Sequence, residues 1–192
     1  VWQEFSLALK EKNPEAFFTV LRDCGALKVI FPELDQLFGV PNPVQWHPEI
    51  DTGIHMLLVL RSVSELSEEP EVRFAALLHD LGKGITPKDQ WPRHVGHEAA
   101  GVLLIKALCA RYRIPKNYTT LALLVAQYHG LCHKALTLKP TTLVKLLKKL
   151  DAFRKPKQFQ QFLKACEADS RGRTGYENQN YPQADFLKQL LL

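Results

Sequence analysis

Apolar residues return at three- and four-residue spacings along nearly the whole chain, and the alternation of a half-buried strand is hard to find. That pattern predicts an all-α protein. Asn13-Pro14 reads as a cap followed by proline at the first helical position, and Gly25 supplies a stop after "EAFFTVLRDC". Residues 1–40 therefore read as two short helices followed by "FPELDQLF", and the proline-rich "VPNPVQWHP" over 40–48 as a linker or long loop. A helix over 51–66, "DTGIHMLLVLRSVSEL", is capped by Asp51 or Thr52; another over 71–81 ends at Gly82. A loop over 84–95 follows, then helices over about 96–113, 118–129, 141–150 and 156–169. The stretch "RGRTGYENQNYP" is loop-like, and a last short helix is expected over 183–192. There is no internal repeat or low-complexity segment.

Composition leaves this picture in place. With 192 residues, 46% hydrophobic and 23% charged, the chain is an ordinary globular one, able to bury a core without staples. Cys24, Cys109, Cys132 and Cys166 are scattered with no CxxC pair, which favours free, mostly buried thiols in a reducing cytosol over a disulfide frame or zinc knuckle. No apolar run approaches the roughly 20 residues of a membrane span, and no signal peptide is seen, so a cytoplasmic protein is expected. The start at Val1, without methionine, leads us to expect a piece of a longer chain. The net charge of +5 favours anionic partners. Much of it lies in "LVKLLKKLDAFRKPKQF", residues 143–159, which is either the solvated face of an amphipathic helix or a patch that tracks nucleic-acid phosphates.

Candidate chemistry lies where a core-facing helix should be apolar. His55 sits within "GIHMLLVL", His79 and Asp80 end the apolar run of "AALLHDLGKG" (75–84), and Asp169 follows "FLKACEA". Singly, each has an ordinary explanation: a hydrogen-bonded core histidine, or a solvated or capping aspartate. Together, two imidazoles and two carboxylates suit a divalent ion such as Mn, Ni, Co, Fe or Mg. His79 and Asp80 are adjacent, so on a helix they point about 100° apart and can share an ion only as neighbouring ligands. Unpaired carbonyls at the helix end add partial negative charge that favours a cation. Four protein ligands leave positions for water and substrate, as metal-assisted hydrolysis requires.

His55, then His79-Asp80, then Asp169, with the phrase "LLHDLGK", resembles the H…HD…D pattern of the HD superfamily of metal-dependent phosphohydrolases over roughly residues 46–175. The resemblance implies a helical HD-domain bundle, with one divalent metal (Ni, Mg, Mn or Co) on His55, His79, Asp80 and Asp169. It implies hydrolysis of phosphomonoesters or phosphodiesters, with Asp80 and Lys83 catalytic and Lys83 touching the substrate phosphate. Read without the resemblance, Lys83 is equally a cation suited to a helix C-terminus. His97 in "RHVGHEAAG" and His129 in "YHGLCH" are expected to line the pocket and meet substrate, or to supply further metal ligands. Glu98 is a candidate to orient His97. His94 and His133 are expected at the surface, and His47, beside Trp46 in the linker, has no pattern behind it.

The amino-terminal stretch "NPEAFFTVLRDCGALKVIFPEL" (13–34) resembles the helical neck that follows the catalytic head of bacterial tRNA nucleotidyltransferases, the CCA-adding enzymes. The expected organisation is a neck-like segment over 1–45, a short helical N-terminal extension, and an HD phosphohydrolase domain over 46–192. No GxS loop followed by a DxD-type carboxylate pair occurs, so the chain is not expected to add nucleotides itself. The resemblance implies phosphatase, 2′-nucleotidase and 2′,3′-cyclic phosphodiesterase activity on small nucleotide phosphoesters, or on tRNA 3′ ends before CCA addition. The other reading is a non-catalytic module that binds tRNA or forms a homodimer, with a structural metal. Basic charge does not separate the two, since both need an anionic partner.

Overall fold

The computed structural model describes residues 1–45 and 47–191. Trp46 of the expected linker and Leu192, the end of the last expected helix, lie outside the described residues. The regular structure of the described chain is all helical apart from one isolated bridge between Pro41 and Asp51. In order come α1 (Trp2–Ala8), α2 (Glu15–Asp23), α3 (Ala26–Ile30), α4 (Pro32–Asp35), α5 (Thr52–Leu66) and α6 (Pro70–Leu78). A 3-10 turn (Leu81–Ile85) leads on to α7 (His97–Tyr112), α8 (Lys116–His133), α9 (Pro140–Lys149), α10 (Pro156–Arg171) and α11 (Pro182–Gln189). Among the described residues no helix is long and apolar enough to cross a membrane.

Helix α6 is the axis of the bundle. Every residue from Val72 to Leu78 is buried, so this helix has no solvent face, and α5, α8 and α10 pack around it. Its carboxyl end therefore delivers His79 and Asp80 into the interior rather than to the surface. The Asp51 cap on α5 forms as expected: Oδ1 accepts from Ile54 N at 2.9 Å, and Oδ2 accepts from Gly39 N at 2.6 Å. One aspartate thus starts the helix carrying His55 and ties it to the end of the amino-terminal segment.

Two expectations need correction. The helix expected over 71–81 stops at Leu78, and residues 81–85 form a 3-10 turn instead. Gly82 is required for contact, not as a stop signal. A Cβ there would lie 2.0 Å from the His97 carbonyl oxygen and 2.5 Å from Gly101 N. Only glycine lets the turn lie directly against α7. The amino-terminal 40 residues hold four short helices rather than two, with Gly25 (φ 77°) making the break between α2 and α3.

These short helices share one core with the rest. Phe5 meets Phe18, Phe31 and Phe74 edge-on or tilted, and Trp2 meets Phe74 and Tyr118. Glu33 of "FPEL" is buried and accepts both guanidinium nitrogens of Arg111 at 2.8 Å, a bidentate pair to α7. Arg73 does similar work inside the molecule. Only 5% exposed, it donates to the carbonyls of Leu9, Glu11 and Ser67, each at 2.8 Å, and of Ser64 at 3.1 Å. It joins the end of α1, the end of α5 and α6. Arg73→Met keeps the apolar stem but strands four carbonyls. It should destabilise the protein by about 3 kcal/mol in chemical denaturation, since each unsatisfied buried group costs about 1–3 kcal/mol and some will find water.

Candidate metal centre

His55 and His79 rise from α5 and the end of α6, Asp80 follows on the turn, and His97 opens α7. His129 comes from α8 and Asp169 from α10. The structure brings these residues to one place, at a cavity of about 550 Å³ whose wall includes Asp80, Lys83, His97, His129 and Asp169. Asp169 Oδ1 lies 3.1 Å from His55 Nε2 and 3.5 Å from His79 Nε2. Asp80 Oδ2 lies 3.2 Å from His79 Nε2, and its Oδ1 lies 3.4 Å from His97 Nε2 and 3.5 Å from His129 Nε2.

All four imidazoles are held the same way round. His79 Nδ1 meets the Ala76 carbonyl at 2.7 Å, and His97 Nδ1 meets that of His94 at 2.8 Å. His129 Nδ1 meets the carbonyls of Val125 and Ala126 at 3.0 and 3.2 Å. His55 Nδ1 meets the Gly172 carbonyl at 3.1 Å and Glu49 Oε1 at 2.9 Å. A carbonyl only accepts, so Nδ1 must carry the proton in each ring and Nε2 faces inward with its lone pair free in the neutral form. This is the arrangement that metal-ligating histidines adopt.

A divalent ion fits this donor set. His79 Nε2, Asp80 Oδ1 and His97 Nε2 are buried without a hydrogen-bond partner among the described residues. Orphaned polar atoms are costly in an interior, and these three are good ligands at one spot. The donor atoms of His55, His79 and Asp169 lie within 4.8 Å of one another, as do those of His79, Asp80 and His129. Either group could hold a metal.

The same packing polarises the site. Burial works against charge on Asp80, but His79 and Lys83 beside it prevail and hold its carboxyl well below the usual range. Asp169 is likewise buried yet held well below that range by His79 and His133. Burial would lower His79, but Asp80 and Asp169 raise it well above 6.5. Burial wins at His129, which is lowered.

Lys83 stands in this centre rather than at an exposed helix end. Its Nζ lies 2.6 Å from Asp80 Oδ2 and donates to Asn42 Oδ1 at 2.9 Å, with the side chain 9% exposed. Glu98 Oε2 approaches His97 Nδ1 at 3.4 Å, farther than the His94 carbonyl. The surface placement expected for His94 is wrong, and that expected for His133 holds in part, its side chain being 30% exposed. His94 is 1% exposed, bridging Thr86 Oγ1 at 2.6 Å and the Pro41 carbonyl at 2.8 Å. His133 Nε2 lies 2.7 Å from Asp169 Oδ2. Sequence reasoning also missed Glu49, which holds His47 at 3.0 Å as well as His55. Only its place six residues before His55, in a proline-rich loop, marked it.

The family model of the HD domain matches residues 52–155. The chain belongs to the HD domain family. A second model, described as the probable RNA and SrmB-binding site of polymerase A, matches residues 1–38. The chain is 58% identical over 188 residues to the multifunctional CCA protein of Thioalkalivibrio sulfidiphilus, covering 98% of this chain and 46% of that protein. It is 58% identical over 191 residues to the multifunctional CCA protein of Hahella chejuensis, covering 100% and 45%. The chain thus spans less than half the length of these relatives. The HD match begins at Thr52, just after the Asp51 cap, and ends before Asp169, so it includes His55, His79 and Asp80 of the centre but not its late carboxylate.

An ion entering this HD centre must displace protons. In the metal-free protein His79, raised above 6.5, contributes stability that is fully present below pH 6.5 and lost as pH rises through its raised value. Metal affinity should therefore climb with pH over that window, with protons released on binding. Calorimetry in buffers of different ionisation enthalpy reads both. A pH-independent affinity from pH 6 to 9 would contradict the assignment of His79 Nε2 to the ion.

Proposed function

We propose that this HD domain is a metal-dependent phosphoester hydrolase module of a CCA protein, acting on nucleotide phosphoesters and serving tRNA 3′-end processing. The observation that carries the reading is the common orientation of four imidazoles, three buried and that of His97 partly so, Nδ1 outward on carbonyls and Nε2 inward beside Asp80 and Asp169. His55, His79, Asp80 and Asp169 would hold the ion; His97 and His129, on the other side of Asp80, are left to meet substrate. The two imidazole donors suit Ni or Co better than Mg or Mn, which prefer oxygen. A divalent ion bound there supplies Lewis acidity toward a phosphoryl oxygen and lowers the pKa of water.

The rest belongs to the chain's own groups. Lys83 neutralises Asp80 and is positioned by Asn42, so its ammonium is fixed where a phosphoryl oxygen gathers charge. His97 and His129 line the same cavity. Burial would lower His97 but Asp80 raises it, so its protonated ring can donate from Nε2 to a phosphate or its leaving oxygen. His129, with its proton on Nδ1, presents Nε2 as an acceptor. A cavity of about 550 Å³ takes one nucleotide, and 2′,3′-cyclic phosphates, 2′-nucleotides and 3′-nucleotides are the substrates we favour.

A second reading, a tRNA-binding module with a structural metal, draws on one observation. Residues 139–157 carry seven lysines and arginines against one acid, more than the whole chain's excess of +5. Lys145, Lys148, Lys149, Arg154, Lys155 and Lys157 are all exposed. An RNA contact there is compatible with hydrolysis at the HD centre.

The test is hydrolysis of a generic phosphomonoester and of a 2′,3′-cyclic nucleotide by metal-loaded protein, with and without chelator. Activity should vanish with chelator and in Asp80→Ala. In Lys83→Met, kcat/KM should fall by about 10²-fold, the usual loss for one charge-stabilising donor. Absence of turnover with every divalent ion would leave the second reading.

A further inference from the structure

His133 is wired in the opposite sense to the four inward-facing histidines. Its Nε2 points at Asp169 Oδ2, 2.7 Å away, and its Nδ1 lies 2.9 Å from the Tyr181 hydroxyl. An ionised carboxylate can only accept, so Nε2 carries the proton, and Nδ1 of the neutral ring is left to accept from the Tyr181 O–H. Tyr181 is 6% exposed at the start of α11, where the other partner of its hydroxyl among the described residues is the weaker acceptor Cys132 Sγ at 3.4 Å. Two positions on, Gln183 Nε2 donates to the His133 backbone carbonyl at 3.2 Å. The start of α11 therefore grips His133 by ring and by backbone.

We propose that Tyr181 and His133 form a positioning relay that fixes Asp169 with Oδ1 turned to His55 and His79. With Oδ2 occupied by the His133 N–H, Asp169 offers a single oxygen to the other two donors, 3.1 and 3.5 Å from their Nε2 atoms. Without Tyr181, Asp169 alone selects the His133 form that donates from Nε2, and no other hydrogen bond to Nδ1 is seen among the described residues. Released, the ring can turn or move its proton to Nδ1, and Asp169 loses the restraint on its second oxygen. His133, half-buried at the cavity edge, is thus not a ligand but the support of one, of the kind that orients metal sites from behind. The relay rests on the metal-centre reading and extends it to a segment, 172–189, beyond the residues matched by the HD model.

A double-mutant cycle on metal affinity tests it, using the whole chain and competition with a chromophoric chelator for Mn or Ni. Tyr181→Phe keeps the ring and removes only the hydroxyl; it should weaken binding by about 10- to 100-fold, the range for supporting residues. His133→Gln retains an N–H for Asp169 and should bind more tightly than His133→Ala. In the His133→Gln background, Tyr181→Phe should change affinity by less than about twofold, because Tyr181 acts through His133. Additive losses, or unchanged affinity in Tyr181→Phe, overturn the relay while leaving the metal centre intact. Absence of metal binding by the unaltered chain overturns the metal reading, and the relay with it. A further measurement does not depend on any variant folding. Long-range ¹H–¹⁵N NMR of the unaltered chain should show His133 protonated at Nε2 while His129 is protonated at Nδ1. The reverse pattern at His133 refutes the relay.

Discussion

The centre depends on the bond each inward histidine makes behind itself. An imidazole has two nitrogens, and which one is free is decided by what the other touches. Here the partner is backbone in every case, and for three of the four it is local: Ala76 for His79, His94 for His97, and Val125 with Ala126 for His129. Such bonds form with the helix ends and cost no long-range search. They turn four Nε2 atoms toward two carboxylates before any ion arrives, which is the preorganisation that binding and catalysis reward.

Buried charge is the second constraint, and it explains why the donors cannot be dispersed. Asp80 and Asp169 are nearly inaccessible, at 3% and 6% exposure, and an isolated carboxylate there would take up a proton. Each is held well below the usual carboxylate range because partners converge on it: His79 and Lys83 on Asp80, His79 and the His133 N–H on Asp169. His79 serves both, so the two carboxylates are electrostatically linked through one ring. Removing His79 would take the shared partner from both buried acids at once, leaving Lys83 on Asp80 and His55 and His133 on Asp169, a larger effect than losing a group that serves only one.

The chain's periodicity made the all-α class legible, and Asp51, Gly25 and the apolar run into His79 each carried a local physical signal that the structure reproduces. The convergence of His55, His79, Asp80 and Asp169 was legible because each stood on an apolar helix where no charge belongs. Less was readable where the cause is non-local. Gly82 looked like a stop signal, whereas its purpose is to let the turn touch His97 and Gly101. His94 and His133 looked like surface residues, because nothing near them in sequence reveals Pro41 or Asp169 and Tyr181. Glu49 lacked any periodic context, since loops carry none.

These missed residues have a common origin. The inward donors come from helices α5 to α8 and α10, but the groups that steady His55, Lys83 and Asp169 come largely from two irregular segments. The segment 40–51 supplies Asn42 to Lys83 and Glu49 to His55. The segment 172–183 supplies the Gly172 carbonyl to His55 and Tyr181 to His133. Gly172 can do so because it has no side chain; a Cβ there would lie 2.6 Å from Val59 Cα. His55 is thus clamped from both segments at once, the first linker and the last. A helical scaffold that brings donors together is therefore insufficient by itself: chain on either side of the bundle must close on it before His55 and Asp169 are fixed.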